Sequence, residues 1–114
     1  MAEGFTLSLG GLQVHWDTPS DGSVRLDLEG ELDNLSVPVL RQALDSVYAD
    51  ECFRVRLDLA GLEFIDSSGL GALVGAWRRC SQQEGSVTVL NPKPTVRQLM
   101  DMTGISKFLL APEE

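Results

Sequence analysis

The sequence predicts an α/β fold, a mixed sheet of four to five strands with about three helices packed mainly on one face. Three observations carry this expectation. From residue 24 onward, segments of alternating apolar and polar residues take turns with segments of helical spacing, an order that implies parallel strands joined by right-handed crossovers. The strands are not continuously apolar, as they would be between two helical layers. Val55, Leu57 and Leu59 alternate with Arg54, Arg56 and Asp58, so one face is covered and the other is polar. Finally, two alternating segments before the first helix are separated by turn residues, which makes an antiparallel hairpin.

Each element follows in order. Phe5, Leu7 and Leu9 alternate up to Gly10-Gly11, so residues 1–10 are a short edge strand or a loosely held arm. Leu12, Val14 and Trp16 define a strand, and Thr18-Pro19-Ser20-Asp21-Gly22 is dense turn chemistry. Val24, Leu26 and Leu28 define the second arm of the hairpin, which Gly30-Glu31-Leu32-Asp33-Asn34-Leu35 interrupts. Ser36 is placed to cap a helix over about 37–49, with Pro38 near its start where a missing N–H costs little. Val37, Leu40, Ala43 or Leu44, and Val47 or Tyr48 give that helix one apolar face. A strand over 54–59 follows, then a helix over about 68–83 stopped by Gly85, then a strand over 86–90. Asn91-Pro92-Lys93-Pro94 is a rigid loop, and a third helix runs from Thr95 to an αL cap at Gly104, with Ile105 supplying the accompanying contact. Phe108 to Ala111 is expected as a last edge strand, and the polar sheet face, with Arg25, Asp27, Arg56 and Asp58, offers cross-strand charge pairs.

Composition narrows the function. At 114 residues, 43 % apolar and 23 % charged, the chain is expected to form a single globular domain over 1–114. A net charge of −8 argues against a nucleic-acid surface and against an anionic membrane. No apolar run approaches the ~20 residues of a membrane span, and no secretory signal is visible, so a cytoplasmic location is expected. Cys52 and Cys80 are too few for a disulfide framework and read as small buried hydrophobes or free thiols.

The stretch Phe64-Ile65-Asp66-Ser67-Ser68-Gly69-Leu70-Gly71 is a strand-to-helix junction with two hydroxyls at the helix start. If the strands at 24–29 and 54–59 are parallel neighbours, the loops holding Asp33 and Ser67 emerge side by side at the C-terminal sheet edge, where open α/β sheets place their ligand sites. Nucleophilic catalysis there lacks a base, since His15 is the one histidine and lies on the first strand of the hairpin. The Gly-x-Ser-x-Gly elbow is absent. Gly69, Gly71 and Gly75 miss the dinucleotide spacing and are read as packing residues that let the helix approach the sheet. Asp33 and Asp66 would make at best a weak magnesium site, and no metal or cofactor is expected. On chemistry alone the hydroxyl pair reads first as a helix cap. The alternative is phosphorylation, favoured by the helix dipole and opposed by Asp66 and Asp33, and nothing selects Ser67 over Ser68.

"FIDSSGLGALVG", preceded by "LDLAGL", resembles the signature of bacterial anti-sigma-factor antagonists of the STAS-domain family, and "LEGELD" and "RQLMDMTGISKFLL" match it in order and spacing. The resemblance covers roughly residues 12–111. It implies a non-enzymatic regulator that, unphosphorylated, binds an anti-sigma factor with serine kinase activity and so frees a sigma factor. It further implies phosphorylation of Ser67, reversal by a serine phosphatase, site- and partner-shaping roles for Asp33, Asp66 and Gly69, and a supporting or capping role for Ser68. A monomer or weak dimer is expected. STAS domains also serve as scaffold subunits of stress-sensing assemblies and as accessory subunits of transport systems. Many members carry a further C-terminal helix, for which there are no residues after Ala111-Pro112-Glu113-Glu114.

Overall fold

The alternating segments pair into one five-stranded sheet in the computed structural model, which describes residues 4–110. Strands β1 (Gly4–Leu9), β2 (Leu12–Asp17), β3 (Ser23–Leu32), β4 (Arg54–Ile65) and β5 (Ser86–Leu90) lie in chain order across it. The pairs β1–β2 and β2–β3 are antiparallel, whereas β3–β4 and β4–β5 are parallel. The crossovers are the helices α1 (Val37–Ala49) and α2 (Ser67–Gln82), followed after β5 by α3 (Pro94–Met102) and the single turn α4 (Ser106–Leu109). Residues 1–3 of the anticipated arm and Ala111 of the anticipated last strand lie outside the described residues; residues 4–9 form the edge strand.

Burial follows the alternation. Leu12, Val14 and Trp16 of β2, Val24, Leu26 and Leu28 of β3, Val55, Leu57 and Leu59 of β4, and Val87 and Val89 of β5 all face the helices. Parallel register stacks them in rows, with Val24 opposite Val55 and Val55 opposite Val87, then Leu26 opposite Leu57 and Leu57 opposite Val89. Each fully buried side chain of this size contributes about 1.5–3 kcal/mol. Helix α1 adds Leu40, Ala43, Leu44 and Val47 to this core, and α2 adds Leu70, Leu73, Ala76 and Cys80.

Several expectations are corrected. Both β3 and β4 continue beyond residues 29 and 59, because β4 carries two bulges. Asp27 pairs with Asp58 but Glu29 with Gly61, and Gly30 pairs with Leu62 but Glu31 with Phe64. Each extra residue moves the buried position from a spacing of two to three, giving Leu59, Leu62 and Ile65, so the period-two pattern stops while the strand does not. On the open face the register sets Arg25 opposite Arg56 and Asp27 opposite Asp58, so the charge pair is Arg25–Asp27 along one strand, at 3.2 Å, rather than across strands. The region of Phe108 is a helical turn, after which Leu110 makes one isolated parallel bridge to Val89. Glycine marks two helix ends differently. Gly104 takes the left-handed conformation expected (φ +78°), and the Ile105 N–H donates to the Met100 carbonyl at 3.1 Å. At the end of α2 the left-handed residue is instead Glu84 (φ +58°), and Gly85 is needed because a Cβ would lie 1.9 Å from the Phe53 carbonyl oxygen.

Both cysteines are free and fully buried, between α1, α2 and the sheet. Burial pushes both thiols up, and also raises the Tyr48 hydroxyl, which the Cys80 thiol approaches at 3.9 Å. The unfolded chain therefore releases these protons first as pH rises. Stability should be fully present below about pH 8.5, the ordinary thiol value, and fall above it, seen as a declining urea midpoint between pH 8 and 10. A thiol reagent at pH 8 should label neither cysteine quickly in the native protein and both after unfolding.

Candidate functional site

The parallel β3–β4 ladder ends with Leu32 opposite Ile65, so the next residues, Asp33 and Asp66, leave the sheet together at its C-terminal edge. The Asp66 N–H donates to the Leu32 carbonyl at 3.2 Å, which ties the two loops. This is the juxtaposition expected from the sequence, and it brings Asp33, Asp66, Ser67, Ser68 and Gly69 to one edge.

Asp33 shapes its own loop. Its Oδ1 accepts from the Leu35 N–H at 3.0 Å and the Ser36 N–H at 3.2 Å, an Asx-type turn that starts α1. Ser36 holds the cap position of α1, but its hydroxyl does not cap the helix. It is fully buried, donates to the Glu31 carbonyl at 2.8 Å and accepts from the Asp33 N–H at 2.9 Å, bracing the loop from inside. The sequence pointed to Ser36 only as a cap; the Asp-x-x-Ser spacing was the signal for this brace.

Asp66 is the N-cap of α2. Its backbone is extended (φ −115°, ψ −172°) and its Oδ1 accepts from the Gly69 N–H at 3.0 Å. The two serines are thereby released from capping. Ser67 is exposed and Ser68 half-buried, and neither hydroxyl has a hydrogen-bond partner among the described residues. Gly69 packs as expected, since a Cβ there would lie 2.7 Å from both the Leu32 carbonyl oxygen and Ile65 Cγ1. Gly71 and Gly75 do not: a Cβ on either would meet open space. They are solvent-side positions of α2 facing α1, not packing positions against the sheet.

Around this edge stand apolar side chains that sequence reasoning missed. Leu35, Phe64 and Met102 are exposed, and Phe64 lines a groove of about 510 Å³ with Thr95, Leu99 and Met102 of α3. Phe64 is turned outward by the second β4 bulge, and the spacing of three between Leu62 and Ile65 was its signal. His15 lies on the open sheet face, 2.9 Å from the Thr6 hydroxyl and 3.8 Å from Asp17. Among the described residues no three His, Cys, Asp or Glu side chains gather as a metal site, and no helix is long and apolar enough to cross a membrane.

The edge thus sets an acid-flanked serine at the first turn of a helix beside a second acidic loop on a mixed sheet. The comparisons give it a family. The family model described as "Mlab, STAS domain" matches residues 17–111. The anti-sigma F factor antagonist of Paenibacillus polymyxa is 34 % identical over 89 residues, 77 % of this chain and 76 % of that protein. The structure of the anti-sigma factor antagonist SpoIIAA in its unphosphorylated form superposes with a TM-score of 0.76 at 26 % identity, covering 89 % of each chain. The phosphorylated form of SpoIIAA, a Bacillus cell fate determinant, superposes with a TM-score of 0.69 at 25 % identity, covering 89 % of this chain and 92 % of that one. The chain belongs to the STAS-domain family of anti-sigma factor antagonists, which are regulators and not enzymes.

The division of labour at the α2 start is measurable. Asp66→Ala should cost about 1 kcal/mol of unfolding free energy, the usual worth of an N-cap. Ser67→Ala and Ser68→Ala, which remove no hydrogen bond, should each stay within about 0.5 kcal/mol. Gly69→Ala should cost about 2–4 kcal/mol, because its new methyl meets backbone as well as side chain. Urea denaturation of the four variants checks all three statements.

Proposed function

We propose that the unphosphorylated chain binds an anti-sigma factor with serine kinase activity in the cytoplasm, so that a sigma factor is freed, and that phosphorylation of Ser67 ends this binding. In the modification the Ser67 Oγ attacks the γ-phosphorus of ATP, loses its proton, and ADP departs. A serine phosphatase reverses the step by hydrolysis to inorganic phosphate. The observation that carries this reading is the freedom of the Ser67 hydroxyl. It is exposed, unbonded among the described residues, and relieved of capping duty by Asp66.

Electrostatics support a switch that acts on affinity rather than on fold. A phosphoserine adds about 1.5 to 2 negative charges. The α2 dipole favours them by about 0.3–1 kcal/mol. Asp33 and Asp66 oppose them, by about 1 kcal/mol for a pair at 4 Å in a well-hydrated site. The repulsion is comparable to, or larger than, the dipole benefit, so the acidic edge does not absorb the added charge. A partner docked against the same edge meets the whole new charge. The exposed Leu35 and Phe64 beside it supply the apolar contact such a docking needs.

Incubation with ATP and the cognate kinase should place one phosphate on Ser67, located by mass spectrometry. Ser67→Ala should bind the kinase without accepting phosphate, and Ser67→Asp should bind at least about tenfold more weakly than the parent, by calorimetry. Label on Ser68 alone, or none with an active kinase, would overturn the assignment.

A further inference from the structure

The sheet has two edges, and they are finished differently. At β5 the outer side is partly taken up by Leu110, which bridges to Val89, and α4 packs against the strand. At β1 no main chain among the described residues pairs with the outer side. Natural edge strands are guarded by charge, proline, bulges or shortness. Strand β1 runs in unbroken register with β2 over Gly4-Phe5-Thr6-Leu7-Ser8-Leu9 and carries no charge and no proline. With His15 neutral, residues 4–16 are the longest uncharged run of a chain whose net charge is −8.

The hairpin turn fixes which way the free groups point. Gly10 and Gly11, both left-handed (φ +65° and +86°), form a two-residue turn that closes on Leu9 opposite Leu12, a pair that exchanges both its hydrogen bonds. Alternation then turns the main chain of Phe5, Leu7 and Leu9 toward β2, and that of Thr6 and Ser8 outward. The side chains of Phe5, Leu7 and Leu9 stand on the helix-covered face, opposite Trp16, Val14 and Leu12, and Phe5 and Leu9 remain 44 % and 68 % exposed. An outward row of N–H and C=O groups is satisfied by another strand, and a second copy of this one fits it in two respects. Antiparallel pairing with Leu7 on the two-fold axis makes Thr6 of one copy and Ser8 of the other the hydrogen-bonded pairs. The same register sets the exposed Phe5 of each copy against the exposed Leu9 of the other, at the non-hydrogen-bonded positions where side chains lie closest. Placing Thr6 on the axis opposes Phe5 to Leu7 instead and leaves Leu9 without an apolar partner. Charge points the same way, because two acidic chains meet here on a strand where neither presents a charge.

We propose that the free edge of β1 is a self-association surface, on which two copies pair β1 to β1 with Leu7 at the two-fold axis and join their sheets. The contact is isologous and uses up the β1 edge of both copies, so assembly stops at a dimer. It does not involve Ser67 and stands apart from the phosphorylation reading. A single short strand pair lies at the small end of specific interfaces, so a dissociation constant between about 1 μM and 1 mM is expected. Sedimentation velocity of the full chain across that range should show reversible exchange between monomer and dimer. Ser8→Pro removes an outward N–H, hence two bonds per dimer by symmetry, and leaves the bonds to β2 in place; it should weaken the dimer at least about tenfold. Leu9→Lys, at an exposed position, should weaken it in the same direction by placing two charges in the contact. Under mild oxidation Leu7→Cys should cross-link to its counterpart, because a non-hydrogen-bonded pair brings Cα atoms to about 4.5 Å, within disulfide reach, whereas Ser8→Cys should not. Cys52 and Cys80 are buried and do not compete. A chain that stays monomeric to about 1 mM, leaving the edge to a different protein's strand, would overturn the proposal. So would assembly beyond a dimer, parental dimerisation of both Ser8→Pro and Leu9→Lys, or cross-linking from position 8 rather than position 7.

Discussion

The parallel pairing of β3 with β4, carried through two bulges to Leu32 and Ile65, is the constraint on which the site depends. It delivers Asp33 and Asp66 to one edge, and the Asp66 N–H to the Leu32 carbonyl fixes how far apart their loops can lie. Gly69 then closes the corner. Its missing Cβ lets the first turn of α2 rest directly on Leu32 and Ile65, so the helix start, both strands and both acidic loops share one packed junction. A displacement of β3 against β4 by one residue would exchange buried and exposed faces of a strand and remove the junction entirely.

The assignment of hydrogen bonds at this junction leaves side chains that the packing does not use. A serine at the cap position would spend its oxygen on the backbone N–H of the first turn. Here Asp66 does that work from one residue earlier, and the two serines keep their hydroxyls. The same logic applies to the neighbouring loop, where Asp33 and the buried Ser36 satisfy one another's backbone and hold the acidic edge rigid. An exposed group on a rigid support changes a partner's affinity by its own chemistry, because the surface around it does not adjust to absorb the change.

Much of this was legible in the sequence, for reasons that differ by element. Strict alternation in 12–17, 24–28 and 54–59 reports directly on which side chains face the helices, and the order of elements constrains the crossovers, so the sheet and the meeting of the two loops could be read. What failed to read were features set by tertiary register. The bulges in β4 shift the apolar spacing from two to three, which made both long strands look shorter than they are. Phe108-Leu109-Leu110 is apolar in either conformation, and packing of α4 against α3 and β5, with Phe108 on Trp77 at 5.3 Å, decides for a helical turn. Capping by Asp66 instead of a serine turns on one backbone torsion, since both residue types are good caps. Only the family resemblance separated Ser67 from Ser68 in the sequence; in the structure the difference is one of exposure.

The three glycines after the serines show most plainly why a motif cannot be interpreted by residue type. Gly69 is small because backbone and side chain crowd it, while Gly71 and Gly75 border empty space. At the first, absence of a side chain serves the fold. At the others it serves the surface, leaving the α1-facing side of α2 bare from Ser68 to Ala76 and its groove open along the helix pair. A side chain at position 71 would be tolerated by the core and would project into the concavity that Gly71 lines with Ser68. Sequence spacing treats these positions alike, and only the packing around each distinguishes the glycine that builds the junction from the glycines that keep its approach clear.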